Sequence, residues 1–175
     1  MTNTGNASVH ASAVLVGDRA VLIRGPSGAG KSRLAFDLIL AARAGQIPAA
    51  MLVGDDRVHL KTDQGQLVVR PARELAGLIE IRGLGIRRCD FAGEAVVGLV
   101  VDLCAADAER LPPAGVLVAE ISGVMIPRIP VGAGYAALPL VIAALTMAAS
   151  SCSPGLSADC PKGIGNHMMS SIATE

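Results

Sequence analysis

A glycine-rich segment that ends in a lysine and a serine is the strongest chemical signal in the sequence. It reads Gly25-Pro26-Ser27-Gly28-Ala29-Gly30-Lys31-Ser32. Glycines at this spacing let the backbone wrap closely around a phosphate, so that successive N–H groups point at its oxygens. The lysine adds a positive charge toward the β- and γ-phosphates, and the serine hydroxyl is a candidate ligand for Mg²⁺. The pattern predicts a P-loop that binds a nucleoside triphosphate; a chance glycine-rich turn is the alternative.

Two adjacent carboxylates, Asp55 and Asp56, end an apolar run and are candidate partners of that phosphate site. Carboxylates at such a position are costly unless they face solvent or a cation. Because side chains alternate along a strand, both reach the phosphate only if the strand ends there and the backbone turns. One could then hold Mg²⁺ through water, and the other could accept the proton of an attacking hydroxyl. A polar junction between strand and turn, without a catalytic role, is the alternative.

The residues that flank the glycine-rich segment predict the strand and the helix that a P-loop needs. Residues 20–24 are a short apolar run of the kind that forms a buried strand, and the run ends at the glycines. After the loop, Leu34, Leu38 and Ala42 fall on one face at helical spacing, and Gly45 is placed to end the helix. Strand, loop and helix therefore follow in the order that phosphate binding requires.

The rest of the sequence predicts an α/β fold with a mixed sheet. Residues 49–53 read as the next strand, and residues 57–62 and 66–70 read as a hairpin, which implies antiparallel pairing. Further strands are expected at 78–81, 95–103 and 116–121, an edge strand or loop at 125–131, and a helix at 138–150. The chain is thus expected to form one domain over residues 1–150, followed by a mobile polar tail over residues 151–175.

Composition and charge exclude several classes of protein. A hydrophobic content of 51% excludes general disorder, and 15 basic against 15 acidic residues give no net field toward nucleic acid or an anionic membrane. The four cysteines lack C-x-x-C spacing, so we expect neither zinc nor a disulfide scaffold. The longest apolar run, residues 135–149, is shorter than the ~20 residues of a membrane span, and the N-terminus lacks a signal-peptide profile. A soluble cytoplasmic protein is expected.

Four segments together resemble the catalytic C-terminal domain of the HPr kinase/phosphorylase family. They are Val9-His10, residues 25–32, Asp55-Asp56-Arg57-Val58 and residues 78–86, in the family's order. The P-loop is shared by many families, whereas Leu-Ile-Glu-Ile-Arg-Gly-Leu-Gly-Ile over residues 78–86 is specific to this one. The resemblance covers roughly residues 8–148 and is to the short form of the family. It implies a fold of the phosphoenolpyruvate carboxykinase type, a P-loop kinase with a mixed β-sheet flanked by helices.

The resemblance also implies an activity and a set of site residues. The activity is phosphorylation of a serine on the phosphocarrier protein HPr of the phosphotransferase system, with ATP or pyrophosphate and Mg²⁺. Many members also run the phosphorolysis of phosphoserine by inorganic phosphate. Asp55 would be the general base, His10 would lie beside it, and Lys31 would act on the phosphates. The phosphate-binding residues would be Gly25, Ser27, Gly28, Ala29, Gly30, Lys31, Ser32 and Arg82, and the metal-binding residues would be Ser32, Asp56 and Glu80. A homohexamer with contacts through the C-terminal helix is also implied.

Two departures from the family pattern leave parts of this activity open. The loop over residues 131–135, Val-Gly-Ala-Gly-Tyr, lacks the basic residues that long members carry, and only Arg128 is nearby. The helix that grips the protein substrate is shortened or replaced by the polar tail. A P-loop kinase for a small hydroxylated substrate and a nucleotide-binding regulatory protein without turnover are the alternatives. The lack of an arginine-rich lid argues against the first, and Asp55, Asp56 and Lys31 argue against the second.

Overall fold

Eleven strands and two α-helices make up the part of the chain that the computed structural model describes, residues 7–147. The strands are β1 (Ala7–Val9), β2 (Ser12–Val16), β3 (Arg19–Arg24), β4 (Ala50–Gly54), β5 (Val58–Asp63), β6 (Gln66–Pro71), β7 (Leu78–Ile81), β8 (Gly85–Arg88), β9 (Ala95–Leu103), β10 (Val118–Ile121) and β11 (Val124–Val131). The helices are α1 (Lys31–Arg43) and α2 (Ala137–Thr146), and short 3₁₀ turns lie at Arg73–Leu75 and Ala114–Leu117.

Nine of the strands form one mixed sheet around β9. The order is β1-β5-β6-β9-β3-β2-β4, and β11 pairs with both β9 and β10. The pairs β3–β9 and β9–β11 are parallel, whereas β2 runs antiparallel to both β3 and β4. Strands β3, β4 and β9 therefore all end at the same edge of the sheet, which is where β2 begins. That edge carries the P-loop and the two carboxylates.

Alternation along the central strands gives the sheet two buried faces. Val21 and Ile23 point to the face that α1 and α2 cover, whereas Ala20 and Leu22 point to the other. On that second face the sheet curls, so that Leu60 of β5 and Leu67 of β6 pack against the central strands. Both described helices thus lie on one face of the sheet, and the curled antiparallel strands cover the other.

Most of the expected elements are confirmed, with shifts of one or two residues at their ends. The hairpin is β5–β6, and the proline-containing strand is β11, whose Pro127 and Pro130 lie in segments that pair with β10 and β9, respectively. Three strands were not predicted from the sequence: β1 and β2, which precede the first predicted strand, and β8, because residues 82–86 read as a glycine-rich loop. Helix α2 ends at Thr146, earlier than the predicted end at residue 150, and the predicted tail at 151–175 lies outside the described residues. None of the helices described over residues 7–147 is long and apolar enough to span a membrane.

Candidate active site

The P-loop follows β3 and opens α1, as its sequence predicts. A Cβ on Gly25 would lie 2.9 Å from the carbonyl oxygen of Leu103, at a φ of +147°, so only glycine fits where the loop leaves β3 beside β9. Gly30 has a φ of 97° and is the N-cap of α1. The backbone N–H of Leu34 donates a 2.9 Å hydrogen bond to the carbonyl oxygen of Gly30. The loop therefore wraps directly onto the positive end of the helix, where backbone N–H groups favour an anion.

Lys31 lies inside this loop. Its side chain is only 5% exposed, and Nζ donates hydrogen bonds of 3.0 Å to the carbonyl oxygens of Gly25 and Pro26. Both partners are carbonyl oxygens, which carry no formal negative charge, and Lys31 forms no salt bridge with a carboxylate within residues 7–147. The arrangement provides one positive charge for an anionic ligand in the loop.

Asp55 is buried at the end of β4 with both carboxylate oxygens engaged. Oδ1 accepts a 2.6 Å hydrogen bond from the hydroxyl of Ser12, and Oδ2 accepts a 3.0 Å hydrogen bond from the backbone N–H of Glu80. The residue is 3% exposed and does not line the large cleft described below. These two hydrogen bonds join β2 and β7 to the end of β4, so the contacts of Asp55 in this structure stabilise the fold.

Asp56 is placed differently from its neighbour. Its φ of 65° turns the chain sharply, and its carboxylate is exposed with Oδ1 3.4 Å from Nε2 of His10. The resemblance implied that His10 lies beside Asp55, but the structure pairs His10 with Asp56. Since successive side chains on an extended strand point to opposite faces, the left-handed turn at Asp56 decides which carboxylate faces the cleft.

A cleft of about 670 Å³ runs from the P-loop along α1 to the β7–β8 hairpin. Its walls are formed by His10, Ser27, Gly28, Gly30, Lys31, Ser32, Arg33, Phe36, Asp37, Leu40, Asp56, Glu80, Ile81 and Arg82. The structure thus brings together nearly all the predicted site residues; Gly25 and Ala29 shape the loop behind the cleft, and Asp55 is set back from it.

The oxygen donors of the cleft fit Mg²⁺ if phosphate oxygens and water complete its coordination. Ser32, Asp56 and Glu80 supply a hydroxyl and two carboxylates, the hard ligands that Mg²⁺ prefers, and all three line the cleft. Within residues 7–147, no three His, Cys, Asp or Glu side chains converge into a cage. Shared coordination with substrate phosphates is the usual arrangement for Mg²⁺ in phosphoryl-transfer sites.

An ion-pair network behind the P-loop was not predicted from the sequence. Arg24 donates two hydrogen bonds of 2.7 Å to Asp102, which also accepts one from Arg128. Arg128 in turn holds both oxygens of Asp107, at 2.8 and 3.0 Å. Arg24 and Asp102 are 78 residues apart in the chain, and only the parallel β3–β9 register makes them neighbours.

The network changes the ionisation of its members. Burial opposes the charge on Asp102, but the hydrogen bonds and charges of Arg24 and Arg128 outweigh it and lower the pKa. The hydrogen bond from Arg128 lowers the pKa of Asp107, and the same contact raises the pKa of Arg128 against the effect of burial. Arg128, the basic residue nearest the loop over residues 131–135, is therefore fully engaged by carboxylates.

The chain is similar to several known proteins. The family model for the HPr serine kinase C-terminal domain matches residues 3–150. The HPr kinase/phosphorylase of Clostridium beijerinckii is 40% identical over 78 residues, which is 45% of this chain and 24% of that protein. The enzyme of Streptococcus thermophilus is 42% identical over 80 residues, again 45% of this chain and 24% of that protein. The matched region thus spans about a quarter of the length of these curated relatives.

A solved structure extends the likeness to a larger share of the chain. The HPr(Ser) kinase/phosphatase from Coxiella burnetii matches with a TM-score of 0.62 and 28% identity, over 79% of this chain and 93% of that chain. This confirms the expected P-loop kinase fold with a mixed sheet. Together with the family match over most of its length, it shows that the chain belongs to the HPr kinase C-terminal domain family.

Proposed function

We propose that this protein is an ATP-dependent kinase that phosphorylates a serine of an HPr-type phosphocarrier protein. The observation that carries the proposal is a single cleft in which the P-loop residues Lys31 and Ser32 face the His10–Asp56 pair. A phosphate donor and a proton acceptor are thereby available to one reacting hydroxyl. The family match and the named relatives favour a protein kinase over a small-molecule kinase or a regulator without turnover.

Asp56 is the better general base of the two carboxylates. It lies in the cleft, whereas Asp55 is buried with both oxygens already accepting hydrogen bonds. Asp56 accepts the proton of the serine hydroxyl as the serine oxygen bonds to the γ-phosphorus. The bond between the γ-phosphorus and the β–γ bridging oxygen breaks, and ADP is released. His10, 3.4 Å from the Asp56 carboxylate, orients it and disperses its charge. The role of general base, first assigned to Asp55, thus passes to Asp56, and Mg²⁺ is left to the other two oxygen ligands of the cleft.

The remaining cleft residues position the phosphates. The N–H groups of the P-loop and the Lys31 ammonium hold the β- and γ-phosphates, and Arg82 approaches from the hairpin. Ser32 and Glu80 would hold Mg²⁺, which supplies charge neutralisation of the transferring phosphoryl group when bound. Asp55 accepts a hydrogen bond from the backbone N–H of Glu80 and so fixes the position of β7 relative to the P-loop.

The ion pairs of Arg128 favour the forward reaction over phosphorolysis. Phosphorolysis places a second anion, inorganic phosphate, beside the phosphoserine, so the P-loop with Lys31 must offset two anions unless a further basic residue assists it. The loop over residues 131–135 has no basic side chain, and Arg128 is occupied by Asp102 and Asp107. We expect transfer from ATP to be faster than pyrophosphate formation from phosphate and the phosphorylated carrier.

A homo-oligomer and a cytoplasmic setting complete the proposal. Tyr135, Leu140 and Met147 are 78%, 44% and 70% exposed on and around α2, an apolar surface of the kind that subunit contacts cover. Light scattering measures the mass of the oligomer for the parent and for a Leu140→Glu variant. The variant should have the smaller mass, and an unchanged mass would exclude α2 as the contact between subunits.

Labelled ATP, Mg²⁺ and an HPr-type carrier from the same organism test the kinase proposal. The parent should label the carrier, and Asp56→Asn should lower the rate by about 10²–10⁴-fold with ATP binding intact. The matched variant is Asp55→Asn, which keeps the same shape and should act chiefly on stability. An unlabelled carrier in the presence of ATP binding would refute the protein-kinase proposal; an active Asp56→Asn with an inactive, folded Asp55→Asn would return the base to Asp55.

A further inference from the structure

The cleft continues well past the residues that hold phosphate. Arg33, Phe36, Asp37 and Leu40 follow one another at helical spacing and form one face of α1. At ~1.5 Å per residue this face extends roughly 10 Å along the helix beyond the P-loop. Ile81 of β7 and the following Arg82 form the opposite wall. We call this part of the cleft, defined by these six residues, the α1–β7 groove.

The groove has an apolar lining, and its rim carries two arginines, Arg33 and Arg82, and one carboxylate, Asp37. Phe36 on α1 and Ile81 on β7 are partly buried against the core, and Leu40 on α1 is 41% exposed, so apolar side chains line both walls. Arg33 gives only its Nε to Asp37, with bonds of 3.0 and 3.1 Å to the two oxygens, and its side chain is 80% exposed. Exposed apolar surface with a polar rim is typical of a protein-interaction site.

The adjoining hairpin extends the same chemistry outward. Its turn exposes Leu84, at 61%, and β8 exposes Ile86, at 65%, together with Arg87 and Arg88. None of Arg82, Arg87 and Arg88 forms a salt bridge with a carboxylate within residues 7–147. Unpaired guanidinium groups beside apolar side chains favour an occupant with acidic and bulky apolar residues.

We propose that the α1–β7 groove docks the acceptor protein, through a segment that carries a bulky apolar residue and a carboxylate beside the reactive serine. This inference rests on the proposed kinase function and adds the surface that selects the acceptor. The groove is continuous with Asp56, so a segment seated on Phe36 and Leu40 delivers its hydroxyl to the general base. The apolar residue of the acceptor packs on Leu40, and its carboxylate pairs with Arg33. Docking residues of this kind raise acceptor affinity without touching the reacting atoms.

Steady-state kinetics with the HPr-type carrier and ATP test the groove. Leu40→Glu and Arg33→Glu should each raise the KM for the carrier by about tenfold or more, the scale of a single docking residue. The KM for ATP should stay within about twofold, since neither residue lies in the P-loop. The carrier KM of the parent should also rise with salt, and that rise should be smaller in Arg33→Glu. Leu111→Glu, at an 84% exposed leucine outside the groove, is the matched control and should leave both constants unchanged.

Each result separates this inference from the function on which it rests. If the parent labels the carrier and both groove variants match it in carrier KM, the groove is not the docking surface and the kinase function stands. If Leu40→Glu raises the KM for ATP and leaves the carrier KM unchanged, the groove holds the nucleoside and the inference is wrong. If the parent binds ATP and labels no carrier, the proposed function fails and the docking inference fails with it. Leu40 and Arg33 are both exposed, so neither variant is expected to unfold the protein.

Discussion

The hydroxyl of Ser12 donates a 2.6 Å hydrogen bond to Oδ1 of Asp55, and so joins the first residue of β2 to the end of β4. The second oxygen of the same carboxylate accepts the backbone N–H of Glu80. A fully buried polar group is stable only when its hydrogen bonds are satisfied, and here one carboxylate satisfies two partners from different strands. Asp55 thereby sets the positions of the Asp56 turn and of the Glu80 side chain, which both reach the cleft.

Ser12→Ala should destabilise the protein. Ser12 is 0% exposed, and the substitution leaves a buried carboxylate oxygen without a donor, which costs about 1–3 kcal/mol in the free energy of unfolding. Urea denaturation measures the change. Thr62→Ala, which removes an exposed hydroxyl bonded to the Ser122 carbonyl at 3.2 Å, is the control and should change the stability little. Equal stabilities for Ser12→Ala and the parent would show that the Ser12–Asp55 bond contributes nothing.

Gly25→Ala should disrupt the P-loop at its first residue. A Cβ there would meet the Leu103 carbonyl oxygen at 2.9 Å, and the φ of +147° is accessible almost only to glycine. The expected cost is about 1–3 kcal/mol in stability, with weaker ATP binding, because the loop must move away from β9.

Gly93→Ala is the matched control for the loop variant. A Cβ at Gly93 has nothing within 4 Å, and its backbone lies outside the left-handed region. Thermal melts of the two variants should therefore differ, with only Gly25→Ala melting lower. A Gly25→Ala protein with the stability and ATP affinity of the parent would contradict the close approach of the loop to β9.

Lys31→Ala should weaken nucleotide binding. The variant removes a charge-assisted contact to phosphate worth about 1.5–3 kcal/mol, or about 10–150-fold in the dissociation constant for ATP. Calorimetric titration with ATP and Mg²⁺ measures it. Lys61→Ala on β5 removes the same charge at a position that does not line the cleft, and should leave the affinity unchanged. Parent-like binding by Lys31→Ala would refute the P-loop assignment.

The Asp102 network should make stability depend on pH. The pKa of Asp102 is lower in the folded protein than in the unfolded chain. Its ionised carboxylate therefore contributes its full stabilisation above the unfolded pKa of about 3.9, and this stabilisation is lost as the pH falls from there through the folded pKa. Asp102→Asn breaks a largely buried pairing with Arg24 and Arg128 and should cost about 3 kcal/mol at pH 7. The gap between parent and variant should narrow below about pH 4.

Denaturation curves from pH 3 to pH 7 measure this gap. Asp18→Asn is the control, because the side chain of Asp18 is 93% exposed and its only salt bridge within residues 7–147 is a 3.9 Å contact with Arg19. It should show no pH-dependent difference from the parent. A gap for Asp102→Asn that stays constant over this range would mean that the carboxylate charge does not stabilise the fold.

The sequence by itself determined the parts of this protein that depend on local order. The strand, the glycines and the amphipathic helix are consecutive, so the P-loop could be predicted from spacing alone, and the β5–β6 hairpin from its turn. Residues 78–86 indicated the family, but the two glycines among them predicted a loop where the structure has the start of β8. These features could be predicted because backbone freedom and side-chain periodicity act over a few residues.

Only the tertiary structure decided which carboxylate faces the cleft and which arginines are already engaged. The sequence places Asp55 and Asp56 side by side, and the left-handed turn at Asp56 separates them into a buried residue and a cleft residue. Arg24, Asp102 and Arg128 meet through the parallel pairing of β3, β9 and β11, across distances in sequence that no local pattern encodes. Roles in the site follow from burial and from partners, and both are properties of the packed sheet.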